Sequence, residues 1–172
     1  MPPDAVRWAY FDTSVLVKRY VREPGSVRAQ AALRRYGFLS SAVVPVELLS
    51  ALHRRRATGE LSPPGFEVIL ARIKRDRAYW ALIEVSSGVL NRAERVISQT
   101  GVRVLDAIHL ASALHARDAA GASEIPIPFV TADVPQREAA LRLGLDVQWI
   151  GSTPAGEADS GGSGPDKASR GH

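Results

Sequence analysis

Asp12 closes the apolar run VRWAYF of residues 6–11, and Glu47 has Val43, Val44, Ser50 and Ala51 as its helical neighbours. Asp106 opens the apolar stretch LDAIHL, and Asp133 follows the run FVT. An unpaired carboxylate on the apolar face of Glu47 is costly to desolvate, Asp12 and Asp133 follow strand-like runs, and Asp106 stands out on a helix with few polar residues. The structural readings are specific: Asp12 as a cap for a helix starting at Thr13, Glu47 as the partner of a buried arginine, Asp106 as a charge favoured by a helix N-terminus, and Asp133 as a cap with Gln136 three residues on and Pro135 between. The chemical reading needs all four together. Carboxylates a few ångströms apart repel and protonate unless a cation compensates them, and ligation by oxygen alone favours Mg2+ or Mn2+. Such an ion binds phosphate oxygens, lowers the pKa of a bound water and offsets charge on a leaving oxygen, which is the chemistry of phosphodiester hydrolysis.

Four acids from four segments act together only if the fold collects them. Short apolar runs predict strands at residues 6–11, 37–41, 80–85, 127–131 and 146–150. Helical spacing predicts helices at 13–22, at 26–36 with Ser26 as its cap, at 42–58, and from Ser62-Pro63-Pro64 to about residue 79. Further helices are predicted at 86–100 with Gly101 as a left-handed cap, at 105–117 with apolar residues on nearly every side, and at 133–144. Strands separated by helices are too far apart for hairpins and imply an α/β fold, a mostly parallel sheet with helices on both faces. In such a sheet ligands gather at the carboxyl ends of the strands, where these acids fall.

The 172 residues, 45% apolar and 23% charged, are enough for one core and too few for two. The absence of cysteine excludes disulfides, thiol nucleophiles, zinc fingers and iron-sulfur clusters. No apolar run approaches a membrane span and the first residues carry no signal-peptide pattern, so a cytoplasmic protein is expected. The basic residues are 19 Arg and 3 Lys for a net charge of +4, which suits a polyanion partner without demanding one. Candidate contacts to such a partner are Arg34, Arg35, the run His53 to Arg56 with Arg54, Arg55 and Arg56, and Arg75 within 72–77; a solvated helix face explains each run alone as well. Residues 151–172 are rich in Gly, Ser and Asp and are expected to be a disordered tail behind a folded domain of residues 1–150.

At the four acids the sequence resembles the PIN-domain ribonucleases, in particular the toxins of VapBC-type toxin-antitoxin pairs. The resemblance is carried by FDTSVLVKRY at 11–20, Val46-Glu47-Leu48, LDAIHLASAL at 105–114 and Val130-Thr131-Ala132-Asp133, in that order over residues 7–150. It implies a three-layer α/β/α fold of about five short strands and an endoribonuclease dependent on Mg2+ or Mn2+, with Asp12, Glu47, Asp106 and Asp133 as its acidic quartet. By the same carry-over Asp12 and Asp106 are direct metal ligands, while Glu47 and Asp133 complete the site, bind a second ion or orient water. Thr13 and Thr131, beside the acids, are candidates to supply hydroxyls, with capping as the equal alternative. His109, one turn from Asp106, reads better as a satisfied core histidine than as a site residue. The resemblance also implies an RNA substrate, a homodimer and a VapB-type antitoxin that covers the acids. Val17, Tyr20, Leu33 and Leu52 are candidates for its groove, against core burial as the simpler reading.

Other classes fit less well. A haloacid-dehalogenase-like phosphatase needs a second Asp two residues after the first, and Ser14 stands there. No phosphate-binding Gly-x-x-x-x-Gly-Lys loop, Gly-x-Ser-x-Gly elbow or His-Glu-x-x-His helix is present. A PIN-domain nuclease of RNA processing, without an antitoxin, and a catalytically silent RNA-binding PIN domain are the remaining alternatives.

Overall fold

Alternation along the first strand, β1 (Trp8–Phe11), sets the layering of the molecule. Ala9 and Phe11 turn to one face and Tyr10 to the other, the period of two that a pleated strand imposes, and all three are fully buried. The computed structural model describes residues 6–121 and 126–151. β1 is the centre of a sheet completed by β2 (Gly37–Ser41), β3 (Ala81–Ile83), β4 (Phe129–Thr131) and β5 (Val147–Trp149), in the order β3-β2-β1-β4-β5. All the pairings are parallel, with Tyr10 opposite Leu39 and Phe129 and Phe11 opposite Val130.

Parallel strands require crossovers, and helices supply them on both faces. On the Phe11 face, α1 (Thr13–Tyr20), α2 (Ser26–Arg35), α3 (Val44–Ala57) and α4 (Pro63–Asp76) bury Val15, Leu16, Ala29, Leu48, Leu52 and Phe66. On the Tyr10 face, α5 (Ser87–Thr100), α6 (Val104–Ala120) and α7 (Val134–Arg142) bury Val89, Ala107, Leu110, Ala111 and Ala139. This is the expected three-layer α/β/α arrangement. None of the described helices is long and apolar enough to cross a membrane.

The chain runs outward from β1 through β2 to β3, then returns to the opposite side of β1 with β4. The order therefore reverses between β1 and β4, and a crevice at the carboxyl ends of these strands is the position where ligands collect in open α/β sheets. Asp12 follows β1 directly, and Asp133 lies two residues beyond β4.

Several local expectations are corrected. Ser26 does not cap α2: Gly25 does, at φ 89, and the Ser26 hydroxyl accepts from the Glu23 N–H and donates to the Val21 carbonyl. The α4 helix stops at Asp76 and tightens into a 3-10 turn over Arg77–Tyr79 instead of running on. β3 is three residues long rather than the expected 80–85, with Ala81, Leu82 and Ile83 paired to Leu39, Ser40 and Ser41 of β2. The α6 helix starts at Val104 and continues to Ala120. Gly101 closes α5 at φ 70, as its sequence position requires. Most of the 151–172 tail lies outside the described residues.

Candidate active site

Each of the four acids sits at the start of a helix, where unpaired backbone N–H groups and the helix dipole favour negative charge. Asp12 caps α1 and Asp133 caps α7, accepting from the N–H groups of Val15 and Gln136 at 3.2 and 2.9 Å. Glu47 and Asp106 lie in the first turns of α3 and α6. The capping readings of Asp12 and Asp133 are thus satisfied, and they are compatible with a site, because a cap also fixes where the carboxylate stands.

Asp12 is fully buried and held from three directions. Ser14 donates to Oδ1 at 2.6 Å and Thr131 to Oδ2 at 2.7 Å, in addition to the Val15 N–H. Burial pushes its pKa up to about 6 against the two hydroxyls, which pull it down. Thr131 also accepts from the Asp133 N–H at 3.0 Å, so one hydroxyl ties the acid after β1 to the acid after β4.

Asp106 and Asp133 form the second part of the site. Burial raises the Asp106 pKa, and the negative charge of Asp133 raises it further. Gln136 braces both acids: its backbone N–H caps Asp133, and its side-chain amide donates to Asp106 Oδ1 at 3.0 Å. Its Oε1 is buried without a partner among the described residues.

Glu47 does not meet a buried arginine. His109 Nε2 lies 2.5 Å from its Oε2, and the Thr13 hydroxyl donates to the same oxygen at 2.8 Å. Burial pushes the Glu47 pKa up, but the hydrogen bond and charge of His109, with the Thr13 hydroxyl, outweigh it and hold the carboxyl below the ordinary glutamate value. His109 is fully buried, as a core histidine should be, and its Nδ1 lies 2.9 Å from the Tyr10 hydroxyl.

Glu47, Asp106 and Asp133 line one cleft of about 880 Å³, whose other walls include Arg54, Arg103 and Arg142. Of the predicted polyanion contacts only Arg54 reaches it. Arg55 is committed to ion pairs with Glu23 and Glu60, Arg56 lies over the Phe66 ring at 5.0 Å, and Arg75 is on α4, outside the cleft wall. Arg103 and Arg142 were not legible as site residues, although Arg103 stands three positions before Asp106. Val17, Tyr20 and Leu52 are buried in the core, and Leu33 is partly buried against it.

The donor set is suited to a hard divalent cation, since every acid offers oxygen only and the like charges need compensation. Among the described residues, no group of three or more His, Asp or Glu side chains is gathered closely enough to cage a metal ion. The arrangement is an open carboxylate edge, which fits Mg2+, an ion that keeps several waters and uses one or two carboxylates plus substrate phosphates. The unpartnered Gln136 Oε1, on the amide that braces Asp106, is an acceptor of the kind a water beside such an ion satisfies.

The PIN domain family model matches residues 9–140 of the chain. No curated protein matches it. Among solved structures, the chain is similar to one described as a toxin-antitoxin complex from Klebsiella pneumoniae, with a TM-score of 0.53 and 17% identity over 73% of this chain and 86% of that one. It is also similar to VapBC2 from Rickettsia felis bound to a DNA fragment from their promoter, with a TM-score of 0.55 and 14% identity over 81% of this chain and 96% of that one. At these identities the likeness is one of fold.

Proposed function

The chain belongs to the PIN domain family, and we propose that it is a metal-dependent endoribonuclease, the toxin of a type II toxin-antitoxin pair. The observation that carries the hydrolytic reading is the single cleft in which Glu47, Asp106 and Asp133 face Arg54, Arg103 and Arg142. Carboxylates lining the cleft suit a cation, and the guanidinium groups that line it with them suit the phosphates of a bound polyanion.

On this reading Asp106 and Asp133 would hold Mg2+ or Mn2+ with Glu47 beside them, whereas Asp12, expected as a direct ligand, is fully buried, hydrogen-bonded through both oxygens and not on the cleft wall, and would act through its charge. A bound ion of this kind supplies Lewis acidity at a phosphodiester oxygen and acidifies a water. The chain's own residues do the rest. Gln136 holds Asp106 and Asp133 in register, Thr131 and Ser14 fix Asp12, and Thr13 with His109 fixes Glu47. The arginines hold the strand against the acids, and an unpaired strand suits an open cleft better than a duplex. The toxin role, an antitoxin partner and a homodimer rest on the family resemblance and on the fold shared with toxin-antitoxin complexes. The nuclease domain is taken as residues 1–150, with a cytoplasmic setting.

The test compares wild type with Asp106→Asn on a pool of structured RNAs under Mg2+, Mn2+ or EDTA, with the new ends mapped. Metal-dependent cleavage by wild type and its loss in the variant are expected. Folded wild type, free of any co-purified inhibitor, that cuts nothing with either metal overturns the nuclease assignment and favours an RNA-binding PIN domain. A small upstream gene for a DNA-binding protein supports the toxin role, and its absence favours an RNA-processing nuclease.

A further inference from the structure

Nine residues of α6 are buried, and His109 is the only titratable one among them. A neutral core position on a helix of Ala, Ile and Leu is satisfied more cheaply by another aliphatic residue, so the imidazole calls for a task. Its two nitrogens reach different segments: Nδ1 lies 2.9 Å from the hydroxyl of Tyr10 on β1, and Nε2 lies 2.5 Å from Glu47 Oε2 on α3.

These contacts constrain the proton on one of the two nitrogens. Glu47 as a carboxylate has no proton to give, so Nε2 must carry one and donate it. The Tyr10 hydroxyl is matched to Nδ1 in either state, donating to a bare Nδ1 or accepting from Nδ1–H, so both ring nitrogens are satisfied. Tyr10 is itself fully buried and stacked on Phe129 with ring centroids 5.5 Å apart. The Thr13 hydroxyl donates to the same Glu47 Oε2, and no hydrogen bond is made to Oε1 among the described residues. Both anchors thus grip one oxygen and leave the other to the cleft that Glu47 lines.

We propose that His109 is a positioning residue for Glu47: braced by Tyr10, it holds Oε2 through Nε2–H so that Oε1 is presented to the cation and substrate in the acidic cleft. The proposal rests on the nuclease reading for its catalytic consequence, but its geometry is testable without substrate. The same logic accounts for the histidine's depth. A long side chain in the first turn of α3 has several rotamers, and fixing it before binding removes the ordering cost from the bound state.

Two measurements on the full chain test this. Long-range 1H–15N spectra should show a proton on His109 Nε2; a bare Nε2 overturns the proposal. Mn2+ titration and RNA cleavage are then compared across variants. His109→Leu should weaken Mn2+ binding and lower kcat about ten-fold or more with KM for RNA within about two-fold, while His109→Gln, whose amide can donate from nearly the same place, recovers to within about three-fold. In a Glu47→Gln background the His109→Leu penalty on Mn2+ binding should vanish. Equal impairment by Leu and Gln, or a full penalty in the Glu47→Gln background, overturns the proposal. If His109→Leu fails to fold, Tyr10→Phe, which removes only the bracing hydroxyl, takes its place in the same comparison. Should wild type bind Mn2+ but cleave no RNA, the nuclease reading falls, and the Nε2 proton and the Mn2+ cycle still decide the role of His109.

Discussion

The Thr131 hydroxyl donates to Asp12 Oδ2 at 2.7 Å across 119 residues of sequence, joining the carboxyl ends of β4 and β1 at the reversal of the sheet. The bond holds a fully buried carboxylate whose hydroxyl partners do not cancel its desolvation.

Stability should therefore depend on the charge of Asp12. Its folded pKa of about 6 exceeds the ordinary 3.8, so the folded state binds the extra proton between these values. This group's contribution is most favourable below the lower pKa, declines as pH rises through the window, and stays unfavourable above about 6. A shift of this size corresponds to at most about 3 kcal/mol. Asp12→Asn, with Thr131 turning its hydroxyl to accept, is expected to raise the denaturant midpoint over wild type at pH 7.5 and to lose that advantage by pH 4. Mg2+ should narrow the gap at pH 7.5. Urea titrations at both pH values check this, and an equal gap at both would dispose of it.

Asp106 titrates high through burial and then through the charge of Asp133. Replacing Asp133 by Asn should bring the Asp106 pKa down while weakening Mn2+ binding, two effects of opposite sense from one substitution. Carboxyl 13C shifts followed against pH give the first and calorimetry the second. An unchanged Asp106 titration would show that the two acids do not sense each other.

Gln136 braces Asp106 and Asp133 with different atoms, and only the side-chain contact is removed by Gln136→Leu. The backbone cap on Asp133 remains, and the unpartnered Oε1 disappears. We expect folding stability to change by less than about 1 kcal/mol, because a lost hydrogen bond is offset by the lost orphan acceptor. Mn2+ affinity should fall several-fold, and calorimetry beside thermal melts separates the two outcomes.

The cleft arginines should act on substrate affinity through phosphate charge. Arg103→Ala and Arg142→Ala are each expected to weaken RNA binding and to reduce the slope of log K against log salt by about 0.7. Arg56→Ala, whose guanidinium lies over Phe66 instead, should leave the slope unchanged. Filter binding at four salt concentrations distinguishes these, and an equal effect at all three positions would mean that the strand does not follow this cleft.

Leu110 is fully buried between α6 and the sheet, in the half of the core that carries Tyr10. Leu110→Ala should cost about 2–5 kcal/mol in urea unfolding, with the site residues untouched. A loss below about 1 kcal/mol would indicate that this layer collapses around the cavity.

What the sequence determined by itself was local. Periodicity located the strands and helices, Gly101 marked the end of α5, the cost of a bare carboxylate on an apolar face singled out Glu47, and places at strand ends and on an apolar helix marked Asp12, Asp133 and Asp106. These signals lie within a few residues of one another, where side-chain spacing on a helix or strand is fixed by backbone geometry. Partner choice was decided elsewhere. Glu47 found His109 rather than an arginine, Arg55 was drawn away to Glu23, and Arg142 came to the cleft from the last described helix. Nothing near these residues in the sequence encodes those meetings, because they follow from the strand order β3-β2-β1-β4-β5, which sets β4 beside β1 and so brings the starts of α1, α3, α6 and α7 to one edge. Strand order is fixed by how both faces of the sheet are covered at once, a condition on the whole chain that no local window contains.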